Sequence, residues 1–134
     1  MTVELPPYSK LKLAVIPDTF ETSDRITRRV HEMMQNGWID EVQRLIEAGF
    51  SPNDPGMRAL GYKPIWQYLN GEMELSEVEA TTIADTRKYA KRQRTWLRSE
   101  PNLVVLDAND ALLGASKFVM QCFKEVMIKN GKSD

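Results

Sequence analysis

Apolar residues recur along this chain at two periods, and the switches between them mark out its elements. Leu11-Lys12-Leu13-Ala14-Val15-Ile16 is a short, mostly apolar run closed by Pro17, which predicts a strand. Ile26, Val30, Met33 and Met34 follow at helical spacing. They predict a helix capped at Thr22 or Ser23 and running to about Asn36, with Arg25, Arg28 and Arg29 off its apolar face. Gly37 breaks the pattern, and Trp38, Val42, Leu45 and Ile46 predict a second amphipathic helix ending at Gly49. Ser51 to Gly56, with two prolines, reads as an internal turn. Pro64 bars an undisturbed helix through Arg58 to Tyr68 but suits the first turn of a short helix over Ile65 to Leu69, stopped by Asn70-Gly71. Ser76 with Glu79 offers a capping box for a long helix reaching about Arg98, before Pro101. Leu103-Val104-Val105-Leu106 predicts a second strand. Asp107 to Asp110 can cap a last helix, with Leu112, Val119, Cys122, Phe123 and Val126 as its packed face.

The expected order is strand, four helices, strand, helix: a predominantly helical α/β unit over residues 11–130. Residues 1–10, with Pro6-Pro7, read as an extended lead-in, and residues 131–134 as a tail. Two short strands do not make a stable sheet alone, so the pattern anticipates membership of a larger sheet that this sequence does not encode.

Charge changes the picture in one place. The net charge of −1 does not by itself suggest a polyanionic partner. Thr86 to Arg98, however, holds six of the eighteen basic residues and no acid. At about 100° per residue, Arg87, Lys91, Arg94 and Arg98 form one narrow line, while Tyr89, Gln93 and Trp96 fall on the far side. Aligned cations without acid neighbours in their own helix suit a polyanion. The alternative is a solvated face neutralised by acids from elsewhere, such as Glu41 or Glu47. Trp96 reads as the anchor that packs this helix rather than as a stacking platform.

The single cysteine, Cys122, permits no internal disulfide and suits a reducing compartment, hence a cytoplasmic expectation. The lone His31 reads as a surface or packing residue rather than a metal ligand. No apolar run is long enough to span a bilayer, and no signal peptide is visible. None of the seven glycines stands in the Gly-x-x-x-x-Gly-Lys-Ser/Thr arrangement of a phosphate loop.

Three blocks carry a family resemblance. Thr86-Arg87, Ala90-Lys91-Arg92-Gln93 and Thr95-Trp96-Leu97-Arg98 form the first. Arg25-Ile26, Arg28-Arg29-Val30, Met34, Gly37, Glu41-Val42 and Leu45 form the second. Arg58-Ala59-Leu60-Gly61-Tyr62-Lys63, Tyr68-Leu69 and Gly71 form the third. In order and content, over about Leu11 to Leu106, they resemble the C-terminal portion of the tRNA dimethylallyltransferases, also called tRNA isopentenyltransferases. Pro64, Thr22-Ser23 and Arg94 depart from that pattern.

The resemblance implies the C-terminal part of a P-loop-type α/β fold whose phosphate loop, metal site and catalytic aspartate lie in an N-terminal core that is absent here. It implies an enzyme that transfers a dimethylallyl group from dimethylallyl diphosphate, with Mg²⁺, to the exocyclic amine of the adenosine next to the anticodon. It implies that this chain alone is inactive, with no catalytic residue and no metal ligand of its own. Arg29 would face the diphosphate; a solvated helix arginine is the plainer alternative. Arg58, Gly61, Tyr62 and Lys63 would contact tRNA in one loop, and Arg87, Lys91, Arg92, Gln93 and Arg98 along the long helix. Tyr62 also fits a core position. The expected partners are a tRNA anticodon stem-loop and dimethylallyl diphosphate, with no membrane and a monomeric state. Two other readings remain: a freestanding, non-catalytic helical RNA-binding module, and a protein-interaction domain whose basic line meets an acidic partner.

Overall fold

The computed structural model describes residues 11–130, so the expected lead-in and tail lie outside the described residues. Along the chain run β1 (Lys12–Val15), α1 (Thr19–Gln35), α2 (Trp38–Glu47), a 3-10 turn (Pro55–Arg58), α3 (Tyr62–Leu69), α4 (Leu75–Ser99), β2 (Leu103–Leu106) and α5 (Ala111–Asn130). The anticipated α/β class and element order are both present. The described residues divide into two compact units, 18–93 and 11–17 with 94–130, and the division falls within α4.

The unit of residues 18–93 holds the main core. Trp38, Val42, Met57, Ile65 and Val78 are buried together, with Met33, Met34, Leu45 and Tyr62 packed against them. Each comes from an apolar position at helical spacing, apart from Met57, which the 3-10 turn delivers. α1 starts earlier than Thr22 or Ser23. The N-cap is Asp18, whose carboxylate accepts from the Phe20 backbone N–H, so Thr22 and Ser23 lie inside the helix. α2 ends in a Schellman motif: the Gly49 N–H bonds to the Ile46 carbonyl (2.9 Å) and the Phe50 N–H to the Leu45 carbonyl (3.1 Å), with Gly49 at φ +92°.

α3 begins at Tyr62, three residues before the expected start. Pro64 is thus its third residue, still in the first turn, where no N–H is needed. The capping of α4 also differs from expectation. The helix begins at Leu75, and Glu77 reaches back to the Glu74 backbone N–H (3.0 Å). Glu79, the expected capping partner of Ser76, bonds instead to His31 Nδ1 at 3.1 Å. His31 therefore works as a surface link between α1 and α4.

In the other unit, β1 and β2 pair in parallel, Lys12 opposite Leu103 through Val15 opposite Leu106. Lys12 is also ion-paired with Glu100. Leu106 is buried and lies near Gly114 of α5, whereas Val15 and Val105 are exposed. The expected packed face of the last helix is largely uncovered: Leu112 is 88% exposed, and Val119 and Phe123 are exposed too. Cys122 is half-buried, and the Val126 side chain lies outside the described residues.

Candidate nucleic-acid interface

The arginine cluster of α1 is sorted by its own helix. Arg25 pairs with Glu21 at 3.0 Å and Arg28 with Asp24 at 3.6 Å, both one turn back. Arg29 has no carboxylate partner among the described residues. It is exposed and lines a concavity of about 310 Å³ with Glu32, Met33, Asn36, Trp38 and Glu41. Of the three arginines, the one left available for an external anion is the one the resemblance selects. Glu32 and Glu41 share its concavity, so the local field opposes an anion unless further positive charge arrives.

The turn from Arg58 to Lys63 is built around Gly61. Gly61 is the N-cap of α3, with φ +89°, a conformation that side chains disfavour. A Cβ there would lie 2.0 Å from the Trp38 ring. The close approach that a glycine permits is therefore used inside the fold, against the indole. Tyr62 meets the same indole edge-on, centroids 6.1 Å apart. Its hydroxyl donates to Glu41 Oε1 at 2.6 Å. That bond to a carboxylate, followed by burial, raises the Tyr62 pKa above its ordinary 10.0. Tyr62 is half-buried, so it serves the packing and also borders the surface. Arg58 and Lys63 are exposed and pair with no carboxylate among the described residues.

Along α4 the expected line divides. Arg87 is exposed, and its guanidinium donates one hydrogen bond to Thr27 Oγ1 at 3.1 Å, leaving other N–H groups for a ligand. Lys91, Arg92, Gln93 and Arg98 are exposed. Arg92 lies 5.7 Å from the centre of the Tyr89 ring, a cation–π arrangement. Arg94 is half-buried and carries a buried guanidinium nitrogen without a hydrogen-bond partner among the described residues, which separates it from the exposed members of the line. The proposed neutralising acids are engaged elsewhere: Glu41 accepts from Tyr62 and Glu47 from Gln43.

The far side of α4 does not pack as expected. Trp96 is 62% exposed and Tyr89 47%, so Trp96 is not the helix's anchor. The buried positions of α4 are Val78 and Thr82, near its start. Sequence reasoning also missed Glu41 as the partner of Tyr62 and Thr27 as the partner of Arg87. A contact between separate helices leaves no local periodicity to read.

Comparison with known proteins sets these features in context. The family model described as IPP transferase matches residues 2–100. The chain belongs to that family. A tRNA dimethylallyltransferase of Thioalkalivibrio sulfidiphilus is 43% identical over 103 residues, covering 75% of this chain and 32% of its own length. Another, from Pelobacter propionicus, is 39% identical over 100 residues, with the same coverage of each chain. Among solved structures, the full-length tRNA isopentenylpyrophosphate transferase of Bacillus halodurans superposes with a TM-score of 0.81 at 29% identity, covering 93% of this chain and 43% of that one. The chain thus spans about a third of the length of the curated relatives it matches and corresponds to their C-terminal portion.

Among the described residues, no group of three or more His, Cys, Asp or Glu side chains could hold a metal ion. No helix among them is long and apolar enough to cross a membrane.

Proposed function

We propose that this chain is the tRNA-gripping C-terminal portion of a tRNA dimethylallyltransferase. The whole enzyme would transfer a dimethylallyl group from its diphosphate to the exocyclic amine of the adenosine beside the anticodon. The observation that carries the reading is the family match over residues 2–100, joined to relatives named for that activity. Arg58, Lys63 and Arg98, exposed and without a carboxylate partner among the described residues, support it, because an exposed guanidinium or ammonium adds a phosphate contact without first breaking an ion pair.

In this reading Arg58 and Lys63 meet tRNA phosphates beside the Gly61-Tyr62 turn. Arg87, Lys91, Arg92, Gln93 and Arg98 meet them along α4. Such contacts fix register and carry little sequence information. Arg29 donates to the departing diphosphate, where a planar guanidinium offers two parallel hydrogen bonds and stays charged. Mg²⁺ would be held by residues outside this chain. The enzyme would work as a cytoplasmic monomer, and the present chain alone would transfer no prenyl group.

Titration of an anticodon stem-loop into the chain across a range of salt tests the phosphate contacts. Arg58→Ala, Lys63→Ala and Arg98→Ala should each weaken binding to cognate and non-cognate loops alike. Each should flatten the log K against log salt slope by somewhat less than about one unit. An unchanged slope in all three variants would show that these side chains do not touch RNA. Incubation with dimethylallyl diphosphate, Mg²⁺ and the same stem-loop tests the second point: product above background would contradict the inactive-portion reading.

A further inference from the structure

Beside the Gly61-Tyr62 turn lies a second concavity, of about 370 Å³, that the phosphate contacts do not explain. Its lining includes Leu45, Phe50, Asp54, Met57 and Tyr62. The size is at the lower end for small-molecule sites. Two aromatic rings border it, and one of them, Phe50, remains 50% exposed. The α2 Schellman motif fixes the Phe50 backbone, so the ring is presented from a rigid helix end.

We propose that this cleft receives one unstacked nucleobase of a bound RNA, with Phe50 as its stacking face. The inference rests on the RNA-binding reading above and assigns a base-sized site to it. A nucleobase has apolar faces and polar edges, and the cleft offers the complement of both. Phe50 and Tyr62 supply aromatic surface for a face. Asp54 supplies the one carboxylate of the lining, steadied by the Ser51 backbone N–H at 2.6 Å and keeping further lone pairs to accept from a base amino group. A carboxylate in the cleft disfavours a phosphate there, so the phosphates belong outside it. The charges suit that arrangement. Arg58 directly follows the lining residue Met57 and Lys63 directly follows Tyr62, both exposed and without a carboxylate partner among the described residues. A single-stranded segment could thus place its backbone on the cations and one base in the cleft. A regular duplex, with its bases stacked, could use the cations alone.

The experiment compares two RNAs of equal length and charge, an anticodon stem-loop and a blunt duplex. They are titrated into the wild-type chain, Phe50→Leu and Phe50→Tyr, each checked for an unchanged melting curve. Leucine keeps an apolar side chain at the helix end and removes the ring; tyrosine restores it. Phe50→Leu should weaken stem-loop binding roughly 5- to 150-fold, the loss expected for one base stack, and leave duplex binding within about twofold. Phe50→Tyr should bind as wild type. With 2-aminopurine placed singly at each loop position, one position should change fluorescence on binding wild type and not Phe50→Leu. Equal affinity of Phe50→Leu and wild type for the stem-loop, or an equal loss on both RNAs, would overturn the base site while leaving salt-dependent RNA binding intact. A wild-type chain that binds neither RNA would overturn the RNA-binding reading and the base site together.

Discussion

Gly61 shows how one missing side chain orders a neighbourhood. Substitution by alanine meets two penalties: a left-handed backbone, at about 1–2 kcal/mol, and forced overpacking against Trp38, at about 1–3 kcal/mol. Gly61→Ala should therefore destabilise the chain by roughly 2–5 kcal/mol in urea unfolding. Gly49 has a positive φ but open space around it, and its alanine variant should lose only the first penalty. Gly56 has neither, so Gly56→Ala should be near neutral. Any other ranking of the three would mean that the turn is not held against the indole. Tyr62, next in sequence, gives a pH signature. Its hydroxyl is neutral when it donates to Glu41, and its pKa in the fold is raised. The unfolded chain therefore loses that proton first as pH rises. The stabilisation is fully present below pH 10 and disappears as pH climbs through the folded value. Denaturant titrations between neutral pH and strongly alkaline pH should show the wild-type advantage over Tyr62→Phe shrinking only above about pH 10. A constant difference throughout would remove the Glu41 bond from the account.

At the scale of elements, periodicity told which residues share a face but not whether the face is covered. Tyr89, Gln93 and Trp96 do fall together on α4, yet Trp96 is 62% exposed, because nothing in the spacing names the surface opposite. Trp96→Ala should accordingly change stability by no more than about 0.5 kcal/mol, whereas Ile65→Ala, at a fully buried site, should cost about 2–5 kcal/mol. Thermal melts of the two variants settle the contrast, and a large loss at Trp96 would restore its anchoring role. Helix starts were legible only to within a few residues. Asp18, Thr22 and Ser23 all carry capping oxygens, and the choice depends on where the chain turns after Pro17. What could be read were the strands, the helices and their order, since each rests on several apolar positions agreeing. The cation set was legible as a line but not as individuals. Engagement of Arg25 and Arg28 by their own helix follows from i,i+4 spacing, whereas Arg87 meeting Thr27 depends on how two helices pack. The cleft at Phe50 had no sequence signal beyond an aromatic residue just after a helix-ending glycine.

For the molecule as a whole, the amount of uncovered apolar side chain is the feature to explain. Phe20 is 84% exposed and Leu112 88%, with Trp96 and Phe123 also bare. Leu112, Val119 and Phe123 fall at helical spacing on one face of α5, and a bare apolar face of this kind marks a surface that other protein normally covers. The superposed structure from Bacillus halodurans is more than twice as long as the part matched here. The folded chain should therefore enhance the fluorescence of an apolar dye such as ANS while retaining its near-UV dichroism. A native chain that leaves the dye dark would show that these side chains are shielded in solution. The parallel pairing of β1 with β2 carries a different consequence, for synthesis. Lys12 faces Leu103, so the partners lie 91 positions apart along the chain. At about 5–20 residues per second, the ribosome releases the first strand roughly 5–18 s before its partner in this ladder exists. Residues 18–93 form a compact unit with its own core, so the chain for those contacts is complete before the second strand emerges. Until then the edge of the first strand that faces β2 has no partner, and Lys12 sets on that strand one charge of the kind that blunts edge-to-edge aggregation.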